Sequence, residues 1–165
     1  MSAHAKKTVS RPHRAATACL AAALVASVAA PAALAQDFGN QIKARQGLMR
    51  VQAANLGVLA AMVRGNAPYD AETARVAAAN LAATGTIDQR FFWPEGSALT
   101  DAENTRALPE IWEDYADFVA EKEKFTAATV ALQAAADSGL DALGPALRGV
   151  GQSCGSCHEK YQQSR

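Results

Sequence analysis

The sequence predicts an all-α protein, an antiparallel four-helix bundle, and three observations carry that expectation. Apolar residues recur at intervals of three and four, the period of a helix, without the alternation that strands show. Alanine, the strongest helix former, fills 26 of the 130 positions from Gln36 to Arg165. The periodic stretches are separated by mostly short runs rich in Gly, Pro, Asn and Asp, and helices joined by short connections pack most simply as antiparallel neighbours.

Residues 1–35 are expected to be a signal peptide. Lys6, Lys7, Arg11 and Arg14 form a basic front, Ala15 to Ala30 is apolar and uncharged, and Ala33-Leu34-Ala35 is a small-x-small cleavage site. Cleavage after Ala35 leaves residues 36–165 as one exported domain. The apolar run is too short to span a bilayer, so no membrane insertion is expected. Cys19 stands at the front of that run rather than after it, which argues against lipidation.

The whole chain balances 16 basic against 16 acidic residues, but four bases belong to the leader, so the mature domain carries 12 against 16, a net charge of 12 − 16 = −4. Such a balance offers no basic field for nucleic acid and too little repulsion to keep a chain disordered. Two cysteines, Cys154 and Cys157, and a single histidine, His158, remain after the leader, too few thiols for a disulfide scaffold.

The first helix is expected from a cap at Asp37 to about Arg64, ending at Gly65-Asn66-Ala67-Pro68, a glycine stop followed by proline. Asp70 caps the second, with Glu72 in its first turn and Gly85 at its end. A linker over 86–100 holds Phe91, Phe92, Trp93 and Pro94. The third helix is expected from Thr100 or Asp101, interrupted or restarted at Pro109, through Trp112, Phe118 and Phe125 to Ala136. Asp141 caps the fourth, which runs through Leu143, Leu147 and Val150 to Tyr161, weakened by Pro145 and Gly151.

In the first helix Ile42, Met49, Leu56 and Val63 recur every seven residues, with Ala53 and Ala60 between, as one inward stripe. Leu48, Val51, Val58 and Met62 form a second. A helix apolar over two faces covers two surfaces, which points to a homodimer through this helix; a wide intramolecular face is the alternative.

The chemistry resides in Cys154-Gly155-Ser156-Cys157-His158. Cys-x-x-Cys-His is the attachment signature of c-type haem: the thiols join the porphyrin as thioethers and the imidazole binds iron. On a helix Cys154 and His158 lie one turn apart with Cys157 beside them. Zinc lacks a fourth ligand of suitable placement, a thioredoxin-type pair lacks its preceding strand, and a disulfide within one helical turn is strained and leaves the histidine unexplained.

Met49, on the inward stripe, either bonds the iron opposite His158, giving a low-spin electron carrier, or only packs there and leaves the position open. An open site walled by Met49 and its apolar neighbours lacks an imidazole donor. It therefore favours NO and CO over dioxygen, whose bound form gains most from a hydrogen bond. Arg45 and Gln46 are the nearby polar residues, and Arg45 is expected to pair with a haem propionate.

The chain resembles the cytochromes c′ over essentially the whole mature domain. The resemblance is carried by Ile42-Lys43-Ala44-Arg45-Gln46-Gly47-Leu48-Met49, Ala67-Pro68-Tyr69-Asp70, Trp93-Pro94-Glu95-Gly96-Ser97, Leu108-Pro109-Glu110-Ile111-Trp112 and the segment from Cys154 to Tyr161. The likeness implies one covalent haem c per chain, a bundle that is commonly a homodimer through its first two helices, and five-coordinate high-spin iron. It assigns His158 as iron ligand, Cys154 and Cys157 as anchors, Arg45 as propionate partner and Met49 as the distal apolar residue. It also implies NO and CO binding and a part in electron transfer with a periplasmic redox partner, and no catalysed reaction. Relatives often carry Arg or Lys four residues past the haem histidine, where this chain has Gln162.

Trp93 is a candidate at the haem edge, beside Phe91, Phe92 and Trp112, and Tyr161 a covering residue. Glu110, Glu113, Asp114, Asp117, Glu121 and Glu123 read as a solvated helix face.

Overall fold

The structure, a computed structural model, describes residues 37–164. The expected signal peptide, with its expected cleavage site and Cys19, lies outside the described residues. Five helices follow in order: α1 (Gly39–Val63), α2 (Ala71–Gly85), a single turn α3 (Glu110–Glu113), α4 (Tyr115–Ala135) and α5 (Leu140–Tyr161). The four long ones form the antiparallel bundle, α1 against α2, α2 against α4, α4 against α5 and α5 back against α1.

The helix ends follow local chemistry. Gly65, at φ 73°, closes α1: its N–H and that of Asn66 return to the carbonyls of Met62 and Ala61 at 3.0 and 2.8 Å, capping the last turn before Pro68. Asp70 caps α2 by accepting from the Thr73 N–H at 2.7 Å. Two starts differ from expectation. Asp37 stands one residue before the cap position of α1, where its Oδ1 accepts from the Gly39 N–H at 2.8 Å. Gly139, at φ 87°, is the cap of α5 in place of Asp141, which sits in the first turn instead.

The third helix departs most. Residues 100–109 are not helical: Asn104 takes φ 59°, and the linker runs back along the end of α5, with Leu108 N–H on the Tyr161 carbonyl and Gln163 N–H on that of Arg106. The backbone N–H and C=O groups thus find partners at the end of α5, on the tail after it and within the linker itself, as in Leu99 N–H on the Ala107 carbonyl, rather than within a helix. After α3 the chain breaks at Asp114 (φ −135°), whose side chain accepts from the Asp117 N–H to start α4.

One end of the bundle is solid. Leu59 and Met62 from α1, Ala74, Ala78 and Leu81 from α2, Leu132 and Ala136 from α4, and Leu143 and Val150 from α5 form a continuous buried cluster. Each buried leucine contributes about 1.5–3 kcal/mol. Small residues in α2 let the helices close up: an added Cβ on Gly85 would lie 3.3 Å from the Thr126 Cα of α4. Leu48 and Met62, assigned by the sequence pattern to a dimer face, are buried within the chain, whereas Val51 and Val58 are exposed. The second stripe of α1 is therefore divided between core and surface, because α2 and α5 together cover a wider arc of α1 than one stripe.

Candidate haem site

At the other end the bundle stays open. The middle of α1, the first half of α4, the last turns of α5 and the linker enclose a cavity of about 680 Å³. Arg45, Gln46, Met49, Trp93, Cys154, Cys157 and His158, the seven residues singled out in the sequence, all line it.

α5 presents the two thiols and the imidazole. Both cysteines are half-buried and free. Burial pushes the Cys154 thiol up, and it pushes Cys157 up to about 11, with the Glu121 charge adding to the effect. Burial and the nearby Arg106 cation push His158 below its ordinary value, so its imidazole is neutral at pH 7 and has a lone pair to give a metal. Among the described residues no three His, Cys, Asp or Glu converge as a metal-ion cluster. Two thiols spread along a helix with a neutral imidazole, facing a largely apolar cavity, suit a porphyrin bonded at its edge and not a bare ion.

α1 supplies the facing wall. Arg45 is buried, with Nη1 donating to Ser97 Oγ at 2.8 Å and the Phe92 carbonyl at 3.3 Å, and Nη2 to the Ser97 carbonyl at 2.7 Å and Thr105 Oγ1 at 2.8 Å. Its guanidinium also lies 4.5 Å from the Trp93 ring centre. Burial lowers its pKa to about 10, so it stays cationic, yet none of these partners is a carboxylate. A buried cation with only neutral partners suits an anionic group entering the cavity. Gln46 Nε2 donates to the Asn104 carbonyl at 2.7 Å and Gln52 Nε2 to Thr84 Oγ1 at 3.3 Å. The apolar stretch of the wall is Met49, Ala53 and Leu56. Met62 is packed in the solid core, so Met49 is the cavity's thioether.

Trp93 stands edge-on to Phe118 at 4.8 Å between ring centres, its Nε1 donating to Gln89 Oε1 and its carbonyl accepting from Trp112 Nε1. Phe91, by contrast, is 77% exposed and does not line the cavity. Tyr161 is buried beneath it, with its hydroxyl donating to Asp117 Oδ2 at 2.5 Å.

The acidic face of α4 is not uniformly solvated. Glu121 is 1% exposed and accepts from Lys160 Nζ at 2.6 Å, Lys124 Nζ at 2.9 Å and Ser156 Oγ at 3.0 Å, Ser156 lying inside the haem-binding motif. The lysines, and to a smaller extent Ser156, hold its carboxyl down to about 2 against the opposing effect of burial. A signal existed: Glu121 shares a helical face with Phe118, Phe125 and Leu132. Arg106 was also missed. It lines the cavity and donates to Gln162 Oε1 at 3.3 Å and to the Gln163 carbonyl. The side chain at the position where relatives often have a cation thus receives one from the linker.

A helical bundle whose last helix carries paired thiols and a neutral imidazole into one end cavity defines the class of helical c-type haem proteins. Comparison with known proteins narrows it. The family model Cytochrome C′ matches residues 40–162. A cytochrome c-554 of Cereibacter sphaeroides is 43% identical over 146 residues, covering 87% of this chain and 95% of that protein. The solved cytochrome c′ from Rhodobacter sphaeroides superposes with a TM-score of 0.76 at 34% identity, covering 79% of this chain and all of that one. A nitric oxide complex of a mutant cytochrome c′ from Alcaligenes xylosoxidans gives 0.69 at 32% identity, covering 78% and 98%. The chain belongs to the cytochrome c′ family, whose members carry covalently attached haem c.

Proposed function

We propose that this protein is an exported, periplasmic haem protein in which His158 is the axial ligand and the opposite side is left open to NO and CO, with a part in electron transfer rather than catalysis. Cys154 and Cys157 hold the porphyrin edge as thioethers, and Arg45 faces a propionate. The haem supplies a one-electron couple and an open coordination position.

The observation that carries the reading is the state of the α1 wall. Its buried and half-buried polar side chains, Arg45, Gln46 and Gln52, already donate to the linker or α2, leaving Met49, Ala53 and Leu56 as the apolar surface. Bound dioxygen gains from a donor, whereas NO and CO remain near neutral and do not need one. A likeness to a cytochrome c′ solved with nitric oxide supports the same ligand class. No helix among the described residues is long and apolar enough to cross a membrane, and the leader over 1–35 supports export.

A second reading keeps the same site. Met49 is the one methionine of the described residues that lines the cavity, and if its sulfur bonds the iron the protein is a six-coordinate electron carrier. Absorption spectra of the ferrous protein before and after CO decide between them. The first reading expects a high-spin spectrum converted fully by CO, little altered in Met49→Leu. A low-spin spectrum insensitive to CO, becoming CO-reactive in Met49→Leu, overturns it in favour of the second.

The exposed Val51 and Val58 on α1 and Val76 on α2 form an apolar surface on the two helices, supporting a homodimer through them.

A further inference from the structure

We propose that Glu121 is a positioning residue for the haem-attachment turn whose buried negative charge lowers the reduction potential of the bound haem. The carboxylate reaches Ser156 inside the Cys-x-x-Cys-His segment and also lines the cavity that Cys157 and His158 line. It therefore touches the covalent anchor from behind and faces the cofactor's space from the side.

Its surroundings make the charge effective. Glu121 is 1% exposed, while the side chains of Lys160 and Lys124 are 46% and 60% exposed. Water screens the two cations far better than the buried anion, so the field inside the cavity is weighted toward the negative end of the network. Asp117, which shares Lys160 and accepts from Tyr161, is partly exposed and contributes less. Lys122 also lines the cavity from α4, but it makes no ion pair with Glu121 and is unchanged by a substitution there. One-electron reduction removes a positive charge from the iron centre. A fixed buried anion therefore stabilises the oxidised form relative to the reduced form, and net charge beside the cofactor is one of the levers a protein has on its potential.

The hydrogen bonds add a geometric component. Ser156 Oγ, which also reaches the Ser153 carbonyl at 3.2 Å, fixes the turn between the two cysteines, and Lys160 ties the turn after His158 to the same carboxylate. Both sides of the iron-binding segment are thereby fastened to α4 through one group.

The test is mediated redox titration of the holoprotein. Glu121→Gln keeps the shape and removes the charge. It is expected to shift the midpoint upward by about tenfold in the ratio of reduced to oxidised protein, ~59 mV for one electron. Ser156→Ala keeps the charge and loses one hydrogen bond, and is expected to move the potential by much less. Lys160→Gln strips a partner from the anion and is expected to move it downward. An unchanged midpoint in Glu121→Gln, even with lowered stability, makes Glu121 merely structural and overturns the proposal. If Glu121→Gln does not fold, Lys160→Gln decides, and a midpoint that rises or stays constant overturns it. The same samples report iron coordination in their absorption spectra, so failure of the open-site reading is seen separately.

Discussion

Ser97, fully buried in the linker, receives both arms of the Arg45 guanidinium: Nη1 on its hydroxyl oxygen at 2.8 Å and Nη2 on its carbonyl at 2.7 Å. Arg45 comes from the second turn of α1 and Ser97 lies 52 residues later, so this pair pins the linker over the cavity mouth. Thr105 takes a third bond, which fastens the far side of the same loop. Replacing Arg45 by Met keeps most of the length and leaves the Ser97 carbonyl without a donor, whereas Thr105 Oγ1 keeps the Ala107 N–H at 3.1 Å. The expected cost is about 1–3 kcal/mol, the scale of one buried group left unpaired. Arg45→Lys should recover less than half, because an ammonium cannot span two acceptors in the plane of a fork. Urea unfolding midpoints check both, and a Met variant within about 0.5 kcal/mol of the parent would sink the pinning role.

Glu121 gives the stability of the fold a definite acid dependence. Its carboxyl titrates near 2 when folded, below the ordinary 4.5, so the folded state favours the charged form. That contribution is complete above about pH 4.5 and is lost as pH falls toward 2. Glu121→Gln is expected to be less stable than the parent at pH 7 by about 1.5–3 kcal/mol, the scale of hydrogen bonds to a charged group. The gap should narrow steadily below pH 4.5. Denaturant midpoints collected from pH 7 to pH 2 test this, and two curves that stay parallel across the acid range contradict it.

The bundle and the haem motif were legible because they rest on local signals: a 3.6-residue period, capping residues at Asp70 and Gly65, and a contiguous Cys-x-x-Cys-His. What escaped depends on long-range pairing. The stretch 100–109 has helix-compatible residues, but Leu108 and Arg106 bond to Tyr161 and Gln163 at the end of α5, partners that sequence spacing does not reveal. Glu121 carries the residue type of a surface and the position of a core, and only the presence of Lys160 and Ser156 across the helix interface resolves that conflict. Leu48 and Val51 look alike as apolar residues on one stripe, yet the first is 8% and the second 49% exposed, because where α2 stops covering α1 is a matter of packing. The seven site residues lie on three separate stretches of chain, α1, the linker and α5, and their meeting in one cavity follows from the bundle closing at one end only.

That division of the stripe changes which variants report on assembly. Val51, Val58 and Val76 are 49%, 40% and 45% exposed, on adjacent helices joined across their outer edge by the Asn80–Asn55 hydrogen bond at 3.0 Å. Val58→Glu places a charge in the proposed dimer face without touching the core. Dimer affinity is expected to fall at least tenfold, about 1.4 kcal/mol, while monomer stability stays within about 0.5 kcal/mol of the parent. Met62→Glu, in the solid core, should instead unfold the chain. Sedimentation velocity over a concentration series reads the first effect, and an unaltered dimer in Val58→Glu removes this face from consideration.

Two glycines in helices should respond to alanine in opposite directions. Gly151 lies within α5 with open space where a Cβ would go, so Gly151→Ala gains the ordinary helix preference, about 0.5–1 kcal/mol. Gly85 ends α2 against α4, and the same Cβ would sit 3.1 Å from Thr129 Oγ1 and 3.3 Å from the Thr126 Cα. One of these is backbone and gives only if the helix moves, which also strains the 2.8 Å bond from Thr126 Oγ1 to the Gly85 carbonyl. Gly85→Ala is therefore expected to be destabilising by about 1–2 kcal/mol despite better helix propensity, the usual scale of overpacking. Because Gly85 also lines the haem cavity, the displaced helix end should show as a changed haem absorption spectrum. Thermal unfolding of the two variants side by side tests the sign, and a Gly85→Ala protein as stable as Gly151→Ala would mean that the contact between α2 and α4 is looser than these distances require.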